Sequence, residues 1–407
     1  MYRFTIGLVV PSLELGGGVP AVAEFICQVI QRTGRFDVRL VSLSTTARDD
    51  VGVSITRPNT WLHNALAIKG VWRGRPFVRV GAMASELEFQ RYQPRAALAA
   101  VLTGCDIIQV VCGAPAWANA VLGLGKPVSL QVATRAKVER RRRDANPKSL
   151  LDWWRKAMTE ITNRMDDRAL RSIDAIQLEN PWMLQYSQQI NKERVDVDIR
   201  YAPPGVDTKL FYPLADRYAL TKQYILCVGR LDDPRKNICL LLNAFSQLPA
   251  RLAHVQLVTA GAGNPPPEYW AQVDALGLHD RVRHVHRPKT DELVRLYQQA
   301  TVFALASDEE GLGVVILEAM ACAVPVVATR CGGPDGIITD GTDGYLVPLD
   351  DADAMADRLT LLCTDSHLNQ QMGREARATI EARYADDVAG QAFVDVWDKL
   401  LQKAGKI

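Results

Sequence analysis

The chain has 407 residues, which is too many for one ordinary hydrophobic core and therefore predicts two domains. Its 48% hydrophobic and 23% charged residues are typical of a globular enzyme, and no apolar run is long enough to span a membrane. The net charge of +2 hides an asymmetry, because residues 1–200 carry 28 Lys and Arg against 19 Asp and Glu, whereas the remainder carries 20 against 27. A basic first half predicts an anionic partner. Nucleic acid is not expected as that partner, because no helix-turn-helix, zinc-finger or aromatic RNA-binding motif is present.

Short apolar runs alternate with helical patterns along the chain, which is typical of α/β proteins with parallel sheets. The strands predicted in the first half are Thr5–Val10, Val38–Leu43, Asp106–Val111, Val128–Val132 and Ala175–Leu178. Those predicted in the second half are Tyr224–Val228, Val255–Ala260, Val282–Val285, Val302–Ala306, Val324–Ala328 and Tyr345–Val347. Two prolines and a glycine within residues 201–207 predict a domain junction there.

The cysteines and the first residues indicate a cellular compartment. None of the eight cysteines lies in a Cys-x-x-Cys pair or in a zinc-binding spacing, which predicts reduced thiols. The N-terminus resembles a first strand rather than a signal peptide. We therefore expect a cytoplasmic protein, with the inner face of a membrane as a second candidate location.

A glycine-rich loop, residues 11–18, follows the first predicted strand and precedes a helix that begins near Pro20. Backbone N–H groups in such a loop can bind a phosphate or a sugar, which makes Gly17 and Gly18 candidate donor-binding residues. The loop lacks the dinucleotide pattern Gly-x-Gly-x-x-Gly, and a purely structural turn is the alternative.

The densest basic run spans residues 135–143, and in it Arg135, Arg140 and Arg141 are the candidate acceptor-side residues. A helical pattern follows, whose apolar residues are predicted to share one face: Leu150, Trp154, Ala157, Met158, Ile161 and Met165. One interpretation is a core-packed helix beside a solvated loop. The other is a surface that holds an anionic acceptor or makes a peripheral contact with an anionic membrane.

Two cations, Arg230 and Lys236, follow the predicted strand Tyr224–Val228. They are expected at the carboxyl edge of a parallel sheet, where ligands bind in open α/β folds. Two positive charges at that edge can stabilise a departing diphosphate. A solvated pair of loop residues is the alternative.

The segment from Glu310 to Glu318 combines two carboxylates with a Gly-Leu-Gly turn and the start of a helix. The N–H groups at this helix start can face a diphosphate. The residues predicted to bind the donor there are Gly311, Leu312, Gly313 and Val314. Glu318 can accept from two ribose hydroxyls, and Glu310 from hydroxyls of a sugar. Either glutamate alone is more simply explained as a solvated surface residue, and it is the whole arrangement that indicates a site.

Metal ligands are not evident. The two Asp-x-Asp spacings, Asp196–Asp198 and Asp351–Asp353, lie before the predicted junction and at the start of a helix. Neither position suits a metal site, so no metal and no cofactor is expected.

The second half resembles the nucleotide-binding domain of the retaining glycosyltransferases of family 4, which have the GT-B fold. The resemblance covers residues 201–385. Its motifs, in family order and spacing, are Pro204-Gly-Val-Asp207, Gly229-Arg-Leu…Lys236-Asn, Val258-Thr-Ala-Gly-Ala-Gly, Asp291-Glu-Leu…Tyr297, Ala306-Ser, Glu310-x7-Glu318-Ala-Met-Ala and Asp340-Gly-x-x-Gly-Tyr-Leu-Val.

The resemblance implies an α/β architecture of two Rossmann-like domains facing a cleft. The first domain is expected to span residues 1–200 and to face the acceptor. The second is expected to span residues 201–386 and to bind the nucleotide sugar. The C-terminal helix, within residues 387–407, is expected to return to the first domain.

The resemblance also implies residue roles. Glu310 would contact the donor sugar and Glu318 the ribose, while Arg230 and Lys236 would bind the diphosphate. Where family members often carry a glycine close to the base, this chain has His286-Arg287, and both residues are candidate base-side contacts.

These features predict a metal-independent glycosyltransferase that moves a hexose, with retention and by a front-face mechanism, from a UDP- or GDP-linked donor. The acceptor is expected to be a small molecule, a glycan or a lipid-linked compound. A nucleotide-sugar epimerase of related fold is one alternative. A non-catalytic nucleotide-sugar-binding homologue is the other, because many family members use a first-domain histidine and this chain has none between His63 and His254.

Overall fold

The computed structural model describes residues 3–14, 17–46, 48–61, 66–215, 217 and 222–407. It contains two compact units, one made of Met1–Pro204 with Gly390–Ile407 and the other of Gly205–Ala389. Each unit is an α/β structure built around its own sheet, as predicted. Among the described residues, none of the helices combines the length and the apolarity that are needed to cross a bilayer.

The first unit contains an eight-stranded sheet. Its strands are β1 (Phe4–Pro11), β2 (Phe36–Leu43), β3 (Ala67–Trp72), β4 (Arg75–Val80), β5 (Ile107–Cys112), β6 (Val128–Val132), β7 (Ala175–Leu178) and β8 (Asp198–Tyr201). Its α-helices are α1 (Gly18–Thr33), α2 (Ala96–Leu102), α3 (Ala136–Glu139), α4 (Arg141–Ala145), α5 (Leu150–Ser172) and α6 (Pro181–Ile190). The spatial order of the strands is β3-β4-β2-β1-β5-β6-β7-β8, and every neighbouring pair is parallel except β3 with β4.

The second unit contains a six-stranded, fully parallel sheet in the order β11-β10-β9-β12-β13-β14. Its strands are β9 (Tyr224–Val228), β10 (Gln256–Gly261), β11 (Val282–His286), β12 (Val302–Leu305), β13 (Val326–Thr329) and β14 (Gly344–Val347). Its helices are α7 (Ile238–Ser246), α8 (Pro267–Ala275), α9 (Thr290–Gln299), α10 (Val314–Ala321), α11 (Pro334–Ile337), α12 (Ala352–Thr364) and α13 (Ser366–Thr379). The last helix, α14 (Asp386–Lys403), begins in this unit and ends in the first.

Alternate residues of the second sheet pack into different hydrophobic cores. Leu226 of β9 belongs to the core on one side of the sheet, whereas its neighbours Ile225 and Cys227 belong to the core on the other side. This alternation follows from the period of two of a β-strand. Because both faces of the sheet are covered, its inner strands are continuous apolar runs, which the sequence predicts. The edge strand β11 is also predicted, although it carries Arg283, His284 and His286.

The prediction that the C-terminal helix returns to the first unit is confirmed. Phe393 and Trp397 are fully buried there. The indole Nε1 of Trp397 donates to Oε1 of Gln109 in β5 at 2.8 Å. The ring of Phe393 meets that of Phe25 in α1 edge-on, with centroids 5.4 Å apart. These large aromatic contacts make the end of the chain part of the first unit's core.

Three strands of the first unit are absent from the sequence prediction. Strands β3 and β4 form an antiparallel hairpin at one end of the sheet, and β8 lies at the other end. The residues of β3 are mostly exposed, and those of β8 are only half-buried. Strands near sheet ends bury less surface and carry more polar residues, so their apolar pattern is weak.

Candidate functional site

Glu310 and Lys236 form an ion pair at the carboxyl end of the second sheet. Oε1 of Glu310 lies 2.6 Å from Nζ of Lys236, and it also accepts a 2.6 Å hydrogen bond from Oγ of Ser307. Both side chains are largely shielded from water, with 11% of Glu310 and 18% of Lys236 exposed. The pair therefore holds a carboxylate and a cation side by side in fixed positions. The contact with Ser307 is not evident from the sequence.

The backbone of Glu310 is held by the segment that follows β13. Its N–H donates to the carbonyl of Cys331 at 3.1 Å, and its own carbonyl accepts from the N–H of Gly333 at 2.9 Å. A Cβ on Gly333 would lie 2.3 Å from the carbonyl oxygen of Leu312, so only glycine allows this approach. The Cys-Gly-Gly-Pro turn at residues 331–334 thus positions the carboxylate.

Helix α10 begins immediately after the glycine turn. Gly313 occupies the N-cap position with φ +87°, a left-handed conformation that favours glycine, and no side chain caps the helix. The first N–H groups of a helix have no acceptor within the helix, and the helix dipole makes this end positive. The predicted donor-binding residues from Gly311 to Val314 therefore surround an end suited to an anion.

Glu318 lies in the second turn of α10 and is partly exposed. Its Oε2 accepts a 2.6 Å hydrogen bond from the hydroxyl of Tyr297, a fully buried residue of α9. Desolvation raises the pKa of Glu318 to about 7, while the Tyr297 hydrogen bond opposes that shift. Tyr297 thus orients this carboxylate, a contact that the sequence motif did not reveal.

Arg230 is the more exposed of the two predicted diphosphate cations. Its side chain is 50% exposed and donates to Asp233 at 3.0 Å. Asp233 also binds Arg235, whose guanidinium reaches Glu309 at 3.1 Å. Arg235 is therefore committed to two carboxylates, whereas Arg230 presents its charge to solvent and is better placed to meet a phosphate.

The ends of β9 and β10 approach each other closely through glycine. A Cβ on Gly261 would lie 1.8 Å from the carbonyl oxygen of Gly229, and one on Gly263 would lie 2.2 Å from Oδ1 of Asp232. These contacts bring the loop that carries Arg230 and Lys236 against the end of β10. Gly261 and Gly263 at the end of β10 therefore help to position the cationic side of the site, which is the loop with Arg230 and Lys236.

The base-side candidates lie where β11 ends. His286 and Arg287 are both exposed. The backbone N–H of Arg287 donates to the carbonyl of Gly261 at 2.7 Å, and its Nε donates to the carbonyl of Ala262 at 3.2 Å. Arg287 is thus fixed to the β10 loop, on the same sheet edge as the cationic side of the site.

The candidate residues in the first unit differ in exposure and in whether they already form ion pairs. Gly17 and Gly18 are exposed at the start of α1, and Gly17 has φ +126°, while Leu15 and Gly16 of the same loop lie outside the described residues. Arg135 lies 2.5 Å from Asp167 and stacks on Tyr186. Arg140 makes two hydrogen bonds to Glu88, so neither arginine offers an unpaired charge. Arg141 is exposed.

A buried carboxylate in the first unit has no counterpart in the sequence analysis. Glu179 follows β7, is 5% exposed and accepts from Nε2 of Gln131 at 3.2 Å. Burial raises the pKa of Glu179 to about 7, and the Gln131 hydrogen bond opposes that shift. The proton is thus retained in the folded state at pH values where the unfolded carboxyl has lost it, so stability falls as pH rises toward 7.

We expect Glu179→Gln to stabilise the protein progressively as the pH rises, because glutamine removes the burial cost of the charge and can still accept from Gln131. The gain should grow by about 2 kcal/mol between pH 5.5 and pH 8. Chemical denaturation at the two pH values measures it, with the exposed Glu193→Gln as control. A gain that is constant with pH, or that shrinks, would show that the buried group is already ionised.

The described residues contain no group of three or more His, Cys, Asp or Glu side chains that could hold a metal ion. All eight cysteines lie in the described part of the chain, none forms a disulfide, and only Cys239 is exposed.

Comparison with known proteins finds a family match within the second unit. Residues 216–379 match the family described as glycosyl transferases group 1. The chain is 33% identical over 194 residues to a GDP-mannose-dependent alpha-(1-6)-phosphatidylinositol monomannoside mannosyltransferase from Mycolicibacterium smegmatis, which covers 44% of this chain and 50% of that protein. The chain thus spans about half the length of the curated relatives it matches.

Two solved structures extend the likeness to almost the whole chain. Sucrose-phosphate synthase from Thermosynechococcus elongatus aligns with a TM-score of 0.72 at 20% identity, covering 98% of this chain and 100% of that one. The HepE protein of Anabaena in complex with UDP-glucose aligns with a TM-score of 0.69 at 16% identity, again covering 98% and 100%. At these identities the likeness shows the fold alone, and the predicted GT-B fold is confirmed.

Proposed function

We propose that this chain, whose residues 216–379 match the family of glycosyl transferases group 1, moves a hexose from a nucleoside diphosphate sugar to an acceptor. The observation that carries this proposal is the Glu310–Lys236 pair, a carboxylate and an ammonium 2.6 Å apart next to the start of α10. A donor of this class needs a cation for its diphosphate and an acceptor of hydrogen bonds for its sugar hydroxyls. The pair supplies both.

The charges of the site fit departure of a diphosphate. As the bond between the anomeric carbon and the phosphate oxygen breaks, negative charge builds on the diphosphate. Lys236, Arg230 and the N–H groups at the start of α10 are the groups that would stabilise that charge. Glu310, held by Ser307 and Lys236, would orient the sugar. Glu318, held by Tyr297, would bind the ribose hydroxyls.

We further propose that the configuration at the anomeric carbon is retained through a front-face reaction. In this reaction the acceptor oxygen bonds to the anomeric carbon on the face that the diphosphate leaves. The proton of the acceptor hydroxyl passes to the departing phosphate oxygen, so no covalent intermediate on the protein is needed. Proton NMR of the initial product, which distinguishes α from β linkage, tests this directly. An inverted product would contradict it.

The donor base is proposed to be uracil or guanine. The Mycolicibacterium smegmatis relative is named as GDP-mannose-dependent, and the Anabaena structure contains UDP-glucose. A thermal-shift screen with UDP, GDP, ADP and their sugars identifies the nucleotide. Incubation with the stabilising sugar nucleotide and a panel of acceptors then tests transfer. Free nucleoside diphosphate with a new glycoside supports the proposal, whereas an epimerised sugar nucleotide without any acceptor would replace it.

The proposed acceptor is a small molecule, a glycan or a lipid-linked compound, and the lipid-linked class is favoured. The Mycolicibacterium smegmatis relative is named for a phosphatidylinositol monomannoside, and the first half of this chain is basic, with 28 Lys and Arg against 19 Asp and Glu. A basic domain attracts an anionic lipid. We accordingly propose a cytoplasmic protein that works at the inner face of a membrane.

Addition of EDTA is expected to leave the transfer rate within about twofold, because Arg230 and Lys236 provide the positive charge that a divalent cation provides in metal-dependent transferases. Initial rates with and without EDTA, and after adding Mg²⁺ or Mn²⁺ in excess, measure this. Loss of activity with EDTA that either metal restores would show that a cation takes part.

A further inference from the structure

Helix α5 leaves one entire face outside the core of the first unit. At its N-terminal end, Leu150 is 90% exposed, Trp153 58% and Trp154 48%. One to two turns further along, Ile161 is 37% exposed. A contiguous exposed surface with two tryptophans is unusual for a region that contacts only water, and such patches mark sites of interaction.

The same face becomes basic toward the C-terminal end of the helix. Arg164, Arg168 and Arg171 follow at spacings of four and three residues and are all exposed, which places them in line with Leu150, Trp154 and Ile161. Within the described residues, none of these three guanidinium groups forms an ion pair. They line a surface depression of about 390 Å³, and Arg171 also lines a neighbouring one of about 570 Å³ with Lys192 and Arg194.

The exposure of this face is built into the fold. The opposite side of α5 packs into the unit through Met158, Thr162, Ala169 and Leu170, which are buried. The N-terminus is fixed by a capping box in which the Ser149 and Asp152 side chains bond each other's backbone. Met158, predicted to share the face with Leu150 and Trp154, is therefore on the packed side, and the exposed residues form a separate, rigidly held surface.

The acidic groups near this surface are occupied. Asp152 takes part in the capping box, Glu160 lies 3.0 Å from Lys137, and Asp167 binds Arg135. Lys156 adds a further cation beside the Trp153 ring, 5.5 Å from its centroid. The surface thus combines exposed indoles with a surplus of positive charge along one helix of about 35 Å in length.

We propose that this α5 face, defined by Leu150, Trp153, Trp154, Ile161, Arg164, Arg168 and Arg171, docks on the surface of an anionic phospholipid bilayer. Indole rings partition to the interface between acyl chains and headgroups, where their apolar body and N–H are both satisfied. Arginines on the same helix face bind lipid phosphates. A helix with this division of residues lies in the plane of the membrane.

The proposal differs from the sequence-based expectation in the residues that supply the charge. That expectation rested on the run that contains Arg140–Arg143. In the structure Arg140 is bound to Glu88, and Arg143 to Asp144 and Thr159. Arg164, Arg168 and Arg171 are without such partners among the described residues, so they are the arginines that would meet the lipid.

The test is co-sedimentation of the purified full chain with vesicles, with no substrate present, so its result does not depend on transfer activity. Vesicles of phosphatidylcholine with 30% phosphatidylglycerol are expected to bind the protein, and vesicles of phosphatidylcholine alone are expected to bind it at least about tenfold less. The triple variant Arg164→Gln, Arg168→Gln, Arg171→Gln should lower partitioning by about 100-fold, since each cation near the surface contributes about fivefold. The double variant Trp153→Ala, Trp154→Ala should reduce it by about tenfold or more, including at high salt.

Matched variants elsewhere control for loss of charge and of tryptophan. Arg251, Arg283 and Arg295 are exposed arginines of the second unit, and Trp61 is 60% exposed in the first. Replacing these three arginines with Gln, or Trp61 with Ala, should leave vesicle binding unchanged. Thermal melts confirm that each variant is folded. Three results would overturn the proposal: no binding of the unaltered protein, equal binding to neutral vesicles, or unchanged binding of both α5 variants. Self-association that both variants abolish, seen by light scattering without lipid, would assign the face to a second copy instead.

Discussion

Replacing Glu310 with glutamine is expected to lower turnover by about 10²–10³ while changing the affinity for the nucleoside diphosphate by less than about tenfold. Glutamine keeps the shape of the side chain and can still accept from Ser307, but it removes the negative charge that pairs with Lys236 at 2.6 Å. Without the ion pair, neither the side chain at position 310 nor that of Lys236 is held in its orientation toward the donor. Three of the groups proposed to hold the nucleotide, Glu318, Arg230 and the start of α10, are untouched.

Two measurements separate this expectation from simple misfolding. Initial rates at saturating donor give turnover, and calorimetric titration with the nucleoside diphosphate gives affinity. Glu268→Gln, which changes an exposed glutamate of the same unit, serves as the matched control. If Glu310→Gln turns over at close to the normal rate, the residue does not contact the sugar in the transition state. If Glu310→Gln lowers nucleotide affinity and turnover by the same factor, the role of Glu310 is to support binding of the diphosphate.

Gly261→Ala is expected to unfold the second unit. Its Cβ would lie 1.8 Å from the backbone carbonyl oxygen of Gly229, and because the Cβ is bonded directly to the backbone, neither atom can rotate away. Relief of that overlap requires the ends of β9 and β10 to separate, which breaks parallel pairing and the packing beneath it. A loss of more than about 4 kcal/mol is expected, which places this change in the class of severe core overpacking.

Thermal unfolding and soluble yield measure the effect of Gly261→Ala. Gly113→Ala is the matched control, because a Cβ there meets no atom within 4 Å and the same methyl group is added at a strand end. The control should melt within about 3 °C of the unaltered protein. If Gly261→Ala also melts within about 3 °C of the unaltered protein, the ends of β9 and β10 can move apart enough to hold the added methyl group.

The sequence predicts the second unit well because each of its signals is local. Strands such as β9 are continuous apolar runs, and the turn before α10 is marked by two glycines. The ion-pair partners of the charged residues, in contrast, are not predicted by local signals. Lys236 and Glu310 are 74 positions apart, and no local pattern indicates that they meet. The same holds for Arg140 and Glu88. A run of arginines that resembles a solvated loop in the sequence therefore contains a shielded ion pair.

The first unit was harder to predict because several of its elements bury little surface. The hairpin of β3 and β4 includes Pro76, and β3 is mostly exposed, so neither strand shows the alternation that identifies a strand. Helix α5 carries apolar residues on both its packed and its exposed sides, so its periodicity alone does not indicate which side faces the core. Burial of Met158 and exposure of Trp154 are decided by tertiary packing.

The path of α14 has a consequence for the order in which the chain acquires structure during synthesis. Phe393 and Trp397 fill the core of the first unit, yet the ribosome adds them after the whole second unit has been made. The second unit can complete its fold as soon as its own residues emerge, whereas the first must wait with part of its apolar surface uncovered. During synthesis the first unit is therefore expected to keep apolar surface exposed for longer than the second.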